Sequence, residues 1–155
     1  MMENERIIRA ESKDHQVLTE ITKKSKAYWG YSAEQMEEWS DSLTITEDYI
    51  RNNEVYYLSI NNSKIGFFTY LNLNEKSVKL DNLFVLPSEI GKGYGKLLMN
   101  NFLNKIRETK VKSIILDADP NAEKFYESFG FVKIKEIETS IKDRFLPIME
   151  KRFIY

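Results

Sequence analysis

Between Leu83 and Leu98 a strand-like run, Leu83-Phe84-Val85-Leu86, passes through Pro87-Ser88-Glu89-Ile90 into the alternating glycines of Gly91-Lys92-Gly93-Tyr94-Gly95, and a helix-like stripe begins inside them. No other stretch constrains the fold as tightly. A strand that turns on glycines into a helix aims the first helical amides, which lack partners within the helix, and the positive dipole end back at the turn. Missing Cβ atoms let an anion approach the backbone, and Lys92 and Lys96 add positive charge. The physical reading is a site for phosphate or pyrophosphate; the competing one is a glycine turn that serves packing alone. A P-loop is excluded, because Ile90 stands where its first glycine belongs and Leu97 where its Ser or Thr belongs. A dinucleotide fingerprint from Gly91 fails at Lys96, where a small residue is required.

The flanking pattern supplies a mixed sheet. Ile7-Ile8-Arg9-Ala10 reads as a first strand, followed by a helix from about Asp14 with Val17, Leu18, Ile21 and Tyr28 on one stripe and Gly30 as its breaker. Ser32, with Gln35 three residues on, reads as a capping box opening a second helix that carries Met36 and Trp39 on one face. Thr46 and the acids after it predict a third short turn of helix. Val55–Ile60, Ile65–Leu73 and Val78–Leu86 predict an antiparallel meander, with turns at Asn61-Asn62-Ser63 and Asn74-Glu75-Lys76. The helix from about Gly93 has Leu97, Leu98, Phe102 and Ile106 as its apolar stripe. Ile114-Ile115-Leu116 predicts a strand covered on both faces. Asp119-Pro120 starts a helix that Gly130 ends, and Val132–Ile137 and Leu146–Ile154 are final strands. The sum is an α/β fold of the α+β mixed-sheet kind, about seven strands, mostly antiparallel, in one domain over residues 1–155.

Composition removes whole classes of chemistry. There are no cysteines, hence no disulfide, thiolate metal site or cysteine nucleophile, and the one histidine, His15, reads as a surface helix residue, so no metal is expected. A formal charge of 23 − 24 = −1 gives no electrostatic case for nucleic acid, although Lys142 to Arg152 is locally basic. No segment has the apolar length of a membrane span, and the charged start lacks a secretion signal, so a cytoplasmic protein is expected.

The turn and a second segment, Asp119-Pro120-Asn121-Ala122-Glu123-Lys124-Phe125-Tyr126-Glu127-Ser128-Phe129-Gly130-Phe131, resemble the GNAT-type N-acetyltransferase superfamily. Its coenzyme A pyrophosphate motif, Gln/Arg-x-x-Gly-x-Gly/Ala, reads Ile90-Gly91-Lys92-Gly93-Tyr94-Gly95 in this chain, with Ile90 departing from the usual Gln or Arg. The resemblance covers nearly the whole chain, and Tyr28-Trp29-Gly30-Tyr31-Ser32 with Arg144-Phe145-Leu146-Pro147 looks like a bacterial subgroup whose acceptors are mostly undefined. It implies acetyl-CoA as co-substrate, held by Gly91, Lys92, Gly93, Tyr94, Gly95 and Lys96. It further implies that the amides around Phe84 and Val85 meet the acetyl carbonyl and pantetheine, that Asn121 and Phe125 lie along the pantetheine arm, and that Tyr126 reaches the sulfur. The implied acceptor is a small-molecule or protein amine, and a homodimer through the last strands would be ordinary for the superfamily.

The chemistry so implied is direct attack of an amine on the thioester. Deprotonating an amine of pKa about 10.4 near pH 7 costs about 4 to 5 kcal/mol, and a carboxylate base would offset it. Asp81, on the fourth strand, is the candidate base or else a solvated strand-end group. Tyr126 is the candidate acid for the leaving thiolate; it lies about 100° around the helix from Phe125, which with Phe129 forms the core face. Trp29 and Tyr31 are read as an acceptor-pocket rim or as core, and Arg144 as an acceptor contact or a solvated loop residue. Two other classes compete: a catalytically silent acyl-CoA sensor on the same fold, and an interaction module whose glycines only pack.

Overall fold

A computed structural model describes residues 4–139, 141 and 144–154. Seven strands, β1 (Glu5–Arg9), β2 (Glu54–Ile60), β3 (Ser63–Asn72), β4 (Ser77–Val85), β5 (Ser113–Asp117), β6 (Val132–Glu138) and β7 (Phe145–Arg152), follow the order β1-β2-β3-β4-β5-β7-β6. The β4–β5 pair is parallel, and β1–β2, β2–β3, β5–β7 and β6–β7 are antiparallel. Helices α1 (His15–Ala27), α2 (Ala33–Glu38), α3 (Glu47–Asn52), α4 (Tyr94–Thr109) and α5 (Glu123–Glu127) flank the sheet, the mixed α/β architecture that the sequence pattern predicts. The chain divides into two compact units, one built from residues up to Tyr70 with Asn82–Lys105, the other from Leu71–Asp81 and residues from Ile106 onward.

The first unit is held by two apolar groups. Ala10, Leu18, Ile21, Ile45, Ile50, Val55 and Phe67 form one buried cluster, against which Tyr49, Phe84 and Leu86 pack. Strand alternation sends Tyr56, Phe68 and Tyr70 to the other face, where Phe68 and Tyr70 meet the α4 ring of Phe102 at 5.6 and 5.4 Å. The β2–β3 hairpin closes on Asn61 and Asn62, both left-handed at φ 50° and 70°, a conformation asparagine tolerates well in tight turns. Ser32 Oγ and Thr46 Oγ1 accept the amides of Gln35 and Tyr49, so both short helices start where the sequence predicts. In α2 no residue is buried, so Met36 and Trp39 do not form a core face there.

The predicted stripe of α1 is overturned at Tyr28, which is 55% exposed. The helix ends at Ala27 with Tyr28 as its cap, and Gly30 at φ 88° redirects the chain before another turn can form.

In the second unit β5 pairs with the start of β4 over Ser77–Lys79 and with β7 over its whole length. Ile114 and Leu116 are buried whereas Ile115 is only half-buried, so the expectation of full cover on both faces is met on one. The helix expected from Asp119 is shorter than its sequence span: Pro120–Ala122 is a 3₁₀ turn, and α5 proper has 5 residues. Gly130, at φ 90°, closes it with Gly130 N–H on Glu127 O and Phe131 N–H on Tyr126 O, a Schellman arrangement. Lys151 Nζ adds a 2.7 Å bond to Phe129 O at the same end.

Candidate coenzyme-binding turn and acyl-transfer residues

Strand β4 ends at Val85, a 3₁₀ turn covers Pro87–Glu89, and α4 begins at Tyr94. Two residues of the connection need glycine: Gly91 at φ 88° and Gly93 at φ 83°. An L side chain in that region costs about 1 to 2 kcal/mol. A Cβ built at either one meets no heavy atom within 4 Å, so packing does not explain the glycines. Open space in front of a left-handed turn at a helix N-terminus is what an anion cradle requires. The helical ladder opens with Leu97 N–H on Gly93 O at 3.0 Å, which leaves the preceding amides of the first turn outside it.

The side chains of the turn play unequal parts. Tyr94 is 4% exposed and belongs to the core, so a contact with a ligand would come from its backbone. Lys92 Nζ is paired with Glu89 at 2.8 Å, which tempers the positive charge expected of it, while Lys96 is exposed. Ile90 is 50% exposed.

Upstream, Phe84 is half-buried against Phe67, ring centroids 6.0 Å apart, and the buried Ser25 of α1 donates its hydroxyl to Val85 O at 2.8 Å. Gly66 on β3 is equally specific: a Cβ there would lie 2.8 Å from Phe84 O and 3.1 Å from Leu98 Cδ1. Neither Ser25 nor Gly66 was singled out by the motif, yet both fix the backbone at Phe84 and Val85. The sequence signal for Gly66 is a glycine inside an otherwise aromatic and β-branched strand, which marks close backbone approach.

In the second unit, Asp119 is the hub of the segment before α5. Its Oδ1 accepts from Asn121 N–H at 2.9 Å and Asn121 Nδ2 at 2.8 Å, and its Oδ2 faces Arg144 Nη2 at 3.4 Å. Both members of that ion pair are 12% exposed, so the structure employs Arg144 in bracing this helix start. Tyr126 is half-buried, 5.4 Å from the Phe125 ring and 5.9 Å from Phe131. Phe125 and Phe129 pack at 5.1 Å. Desolvation first, and the Asp119 charge second, push the Tyr126 phenol above its ordinary value, and its hydroxyl has no hydrogen-bond partner among the described residues. Asp81 is exposed.

Trp29 and Tyr31 pack against different rings. Trp29 is 45% exposed, edge-on to Tyr28 at 5.4 Å, whereas Tyr31 meets Trp39 at 4.8 Å with the Lys26 ammonium over both rings at 5.6 and 5.4 Å.

A family model described as an acetyltransferase (GNAT) domain matches residues 29–151, which takes in the turn and the Asn121-to-Phe131 segment. The chain belongs to the GNAT acetyltransferase family. This GNAT domain is 26% identical over 73 residues to an uncharacterized N-acetyltransferase, ycf52, of Pyropia yezoensis, a match covering 47% of this chain and 42% of that relative. A second ycf52 protein, from Porphyra purpurea, is 28% identical over 69 residues, 44% of this chain and 40% of its own. The chain thus spans about two-fifths of the length of the curated relatives it matches. Among solved structures, PaiA N-acetyltransferase of Thermoplasma acidophilum in complex with coenzyme A has a TM-score of 0.78 at 19% identity, covering 97% of this chain and 99% of that one. A GNAT acetyltransferase of Elizabethkingia anophelis with acetyl-CoA bound gives 0.67 at 14%, again over 97% and 99%. At such identities these likenesses establish the GNAT fold. Among the described residues no helix is long and apolar enough to cross a membrane, and no group of three or more His, Asp or Glu side chains could hold a metal.

Proposed function

We propose that this GNAT domain transfers the acetyl group of acetyl-CoA to a primary amine by direct attack on the thioester. The observation that carries the reading is the pair of left-handed glycines, Gly91 and Gly93, open to space at the start of α4. Their turn fits a pyrophosphate, and the neighbouring backbone at Phe84 and Val85, fixed by Gly66 and Ser25, fits the acyl end of the same ligand.

In the proposed step the amine nitrogen bonds to the acetyl carbon, the C–S bond breaks, and the sulfur leaves with a proton. Backbone amides of β4 stabilise the developing oxyanion. Tyr126 is the proposed proton donor, and its raised phenol pKa keeps it protonated throughout the neutral range. Asp81, exposed on β4, is the proposed base, acting through water. Trp29, Tyr31 and Arg144 are the proposed acceptor contacts, Arg144 through the pair it forms with Asp119. Small amines and protein amines both fit as acceptor.

Coenzyme A release from acetyl-CoA in the presence of an amine panel tests the reading. Release that depends on one amine, with the acetylated product identified by mass spectrometry, is the expected result. Micromolar acetyl-CoA binding with no release for any amine would instead mark the chain as an acyl-CoA sensor, and no binding at all would leave the family's chemistry without a place here.

A further inference from the structure

The polar–apolar alternation of strand β4 is broken by two successive polar residues, Asp81 and Asn82. Asp81 is exposed, and Asn82 is half-buried. The Asn82 amide is held by two other elements of the first unit: Nδ2 donates to Thr69 Oγ1 of β3 at 2.9 Å and to Tyr49 Oη of α3 at 3.4 Å. Those two oxygens are themselves 2.9 Å apart, and Thr69 is completely buried. Both acceptors lie on the same side of Nδ2, so one amide hydrogen serves the Thr69–Tyr49 pair and fixes the plane of the amide. The amide oxygen, Oδ1, has no hydrogen-bond partner among the described residues. A side chain whose amide is anchored by two other elements and whose acceptor is left over is placed to receive an N–H or O–H from outside.

We infer that Asn82 is a positioning residue for the acceptor amine, its Oδ1 holding one amine N–H so that the nitrogen lone pair faces the acetyl carbon. The inference rests on the acetyl-transfer reading, in which the acetyl carbonyl meets the β4 amides near Phe84 and Val85. Asn82 and Phe84 are two residues apart on one strand face, about 7 Å along the strand. A hydrogen bond of about 2.9 Å followed by an attack distance of about 3 to 3.5 Å spans nearly the same length. An amide oxygen is no base near neutral pH, so Asn82 takes no proton: the nitrogen gains the acetyl carbon, loses one hydrogen to a base or water, and sulfur departs. A neutral primary amine has two N–H groups and keeps one on Asn82 while losing the other. A secondary amine has only the one it must lose. The site therefore selects primary over secondary amines.

The test compares 2-phenylethylamine, 1,4-diaminobutane and alanyl-alaninamide with their N-methyl derivatives, reading coenzyme A release by the wild-type protein, Asn82→Ala and Tyr49→Phe, with acetyl-CoA affinity measured on each. The expected wild-type preference for the primary amine is tenfold or more in kcat/KM. Asn82→Ala should lose about tenfold on the primary amine, chiefly in KM, and collapse the primary-to-secondary ratio, with acetyl-CoA affinity unchanged. Tyr49→Phe, which keeps the Thr69 bond, should do the same to a smaller extent, and it decides the matter alone if Asn82→Ala does not fold. A ratio that survives in the variants overturns the inference. So does a wild-type protein that binds acetyl-CoA and acetylates none of the six amines. Failure to bind acetyl-CoA overturns the underlying reading instead, so the two are distinguishable.

Discussion

Tyr126 illustrates how far a single side chain can be read. Its place in the helix makes it the proposed proton donor, and its surroundings set the strength of that donor. Desolvation, aided by Asp119, raises the phenol above its ordinary value, so it gives up its proton less readily than a free phenol and full transfer to a thiolate is disfavoured. The donation therefore has to accompany C–S cleavage, and its expected worth is at the low end of general-acid effects. Tyr126→Phe should leave acetyl-CoA affinity nearly unchanged and lower kcat by roughly 10²-fold, measured with chemistry rate-limiting. Equal turnover would reduce Tyr126 to packing. Because the folded phenol is raised, any stability it contributes is fully present below pH 10 and is lost only as pH rises above it. Ile90 offers the complementary case. It is exposed at the position where the motif the turn resembles has Gln or Arg, and backbone amides are proposed to hold the pyrophosphate, so Ile90→Arg should improve acetyl-CoA affinity by less than about tenfold, or 1.4 kcal/mol, in calorimetry. A larger gain would mean that the native turn lacks a charge it needs. Glycine positions and the cap at Asp119 were legible in the sequence because each answers a local backbone demand. Arg144 was not: its partner Asp119 lies 25 positions away, and only the fold brings the two charges together.

Among the elements, β4 is the one whose backbone must be placed most closely. Gly66 lets β3 approach to the point where an added Cβ would stand 2.8 Å from Phe84 O, and Ser25 of α1 holds Val85 O. Gly66→Ala should therefore destabilise the fold by about 1 to 3 kcal/mol and weaken acetyl-CoA binding as well, as thermal unfolding and calorimetry would show. Stability lost with affinity intact would mean that the strand gives way without disturbing the site. Strand and hairpin positions were readable because alternation and the Asn61-Asn62 turn are local signals. The extents of the helices were less so. The α1 stripe stopped at Ala27, where the chain leaves the helix before Tyr28 can reach the core, and α5 shrank to 5 residues because its opening turn is 3₁₀. The Asn82–Thr69–Tyr49 network escaped the sequence altogether, since hydrogen bonds across 13, 20 and 33 positions leave no periodic trace.

At the scale of the molecule, the seven-stranded mixed sheet and the family match make the GNAT assignment independent of any one side chain. Binding of acetyl-CoA at the Gly91-to-Gly95 turn is the claim on which the functional account stands, and Gly93 is its most exposed point. Its φ of 83° strains any other residue, and the space beside it is open, so a valine adds bulk where the pyrophosphate is proposed to lie at a folding cost of about 1 to 2 kcal/mol. Titration calorimetry of acetyl-CoA into the wild-type protein and into Gly93→Val, with circular dichroism to verify that the variant is folded, is the most direct measurement. The account predicts saturable binding to the wild-type protein and a loss of at least tenfold in the folded variant; equal affinity in both would contradict it and place the coenzyme elsewhere.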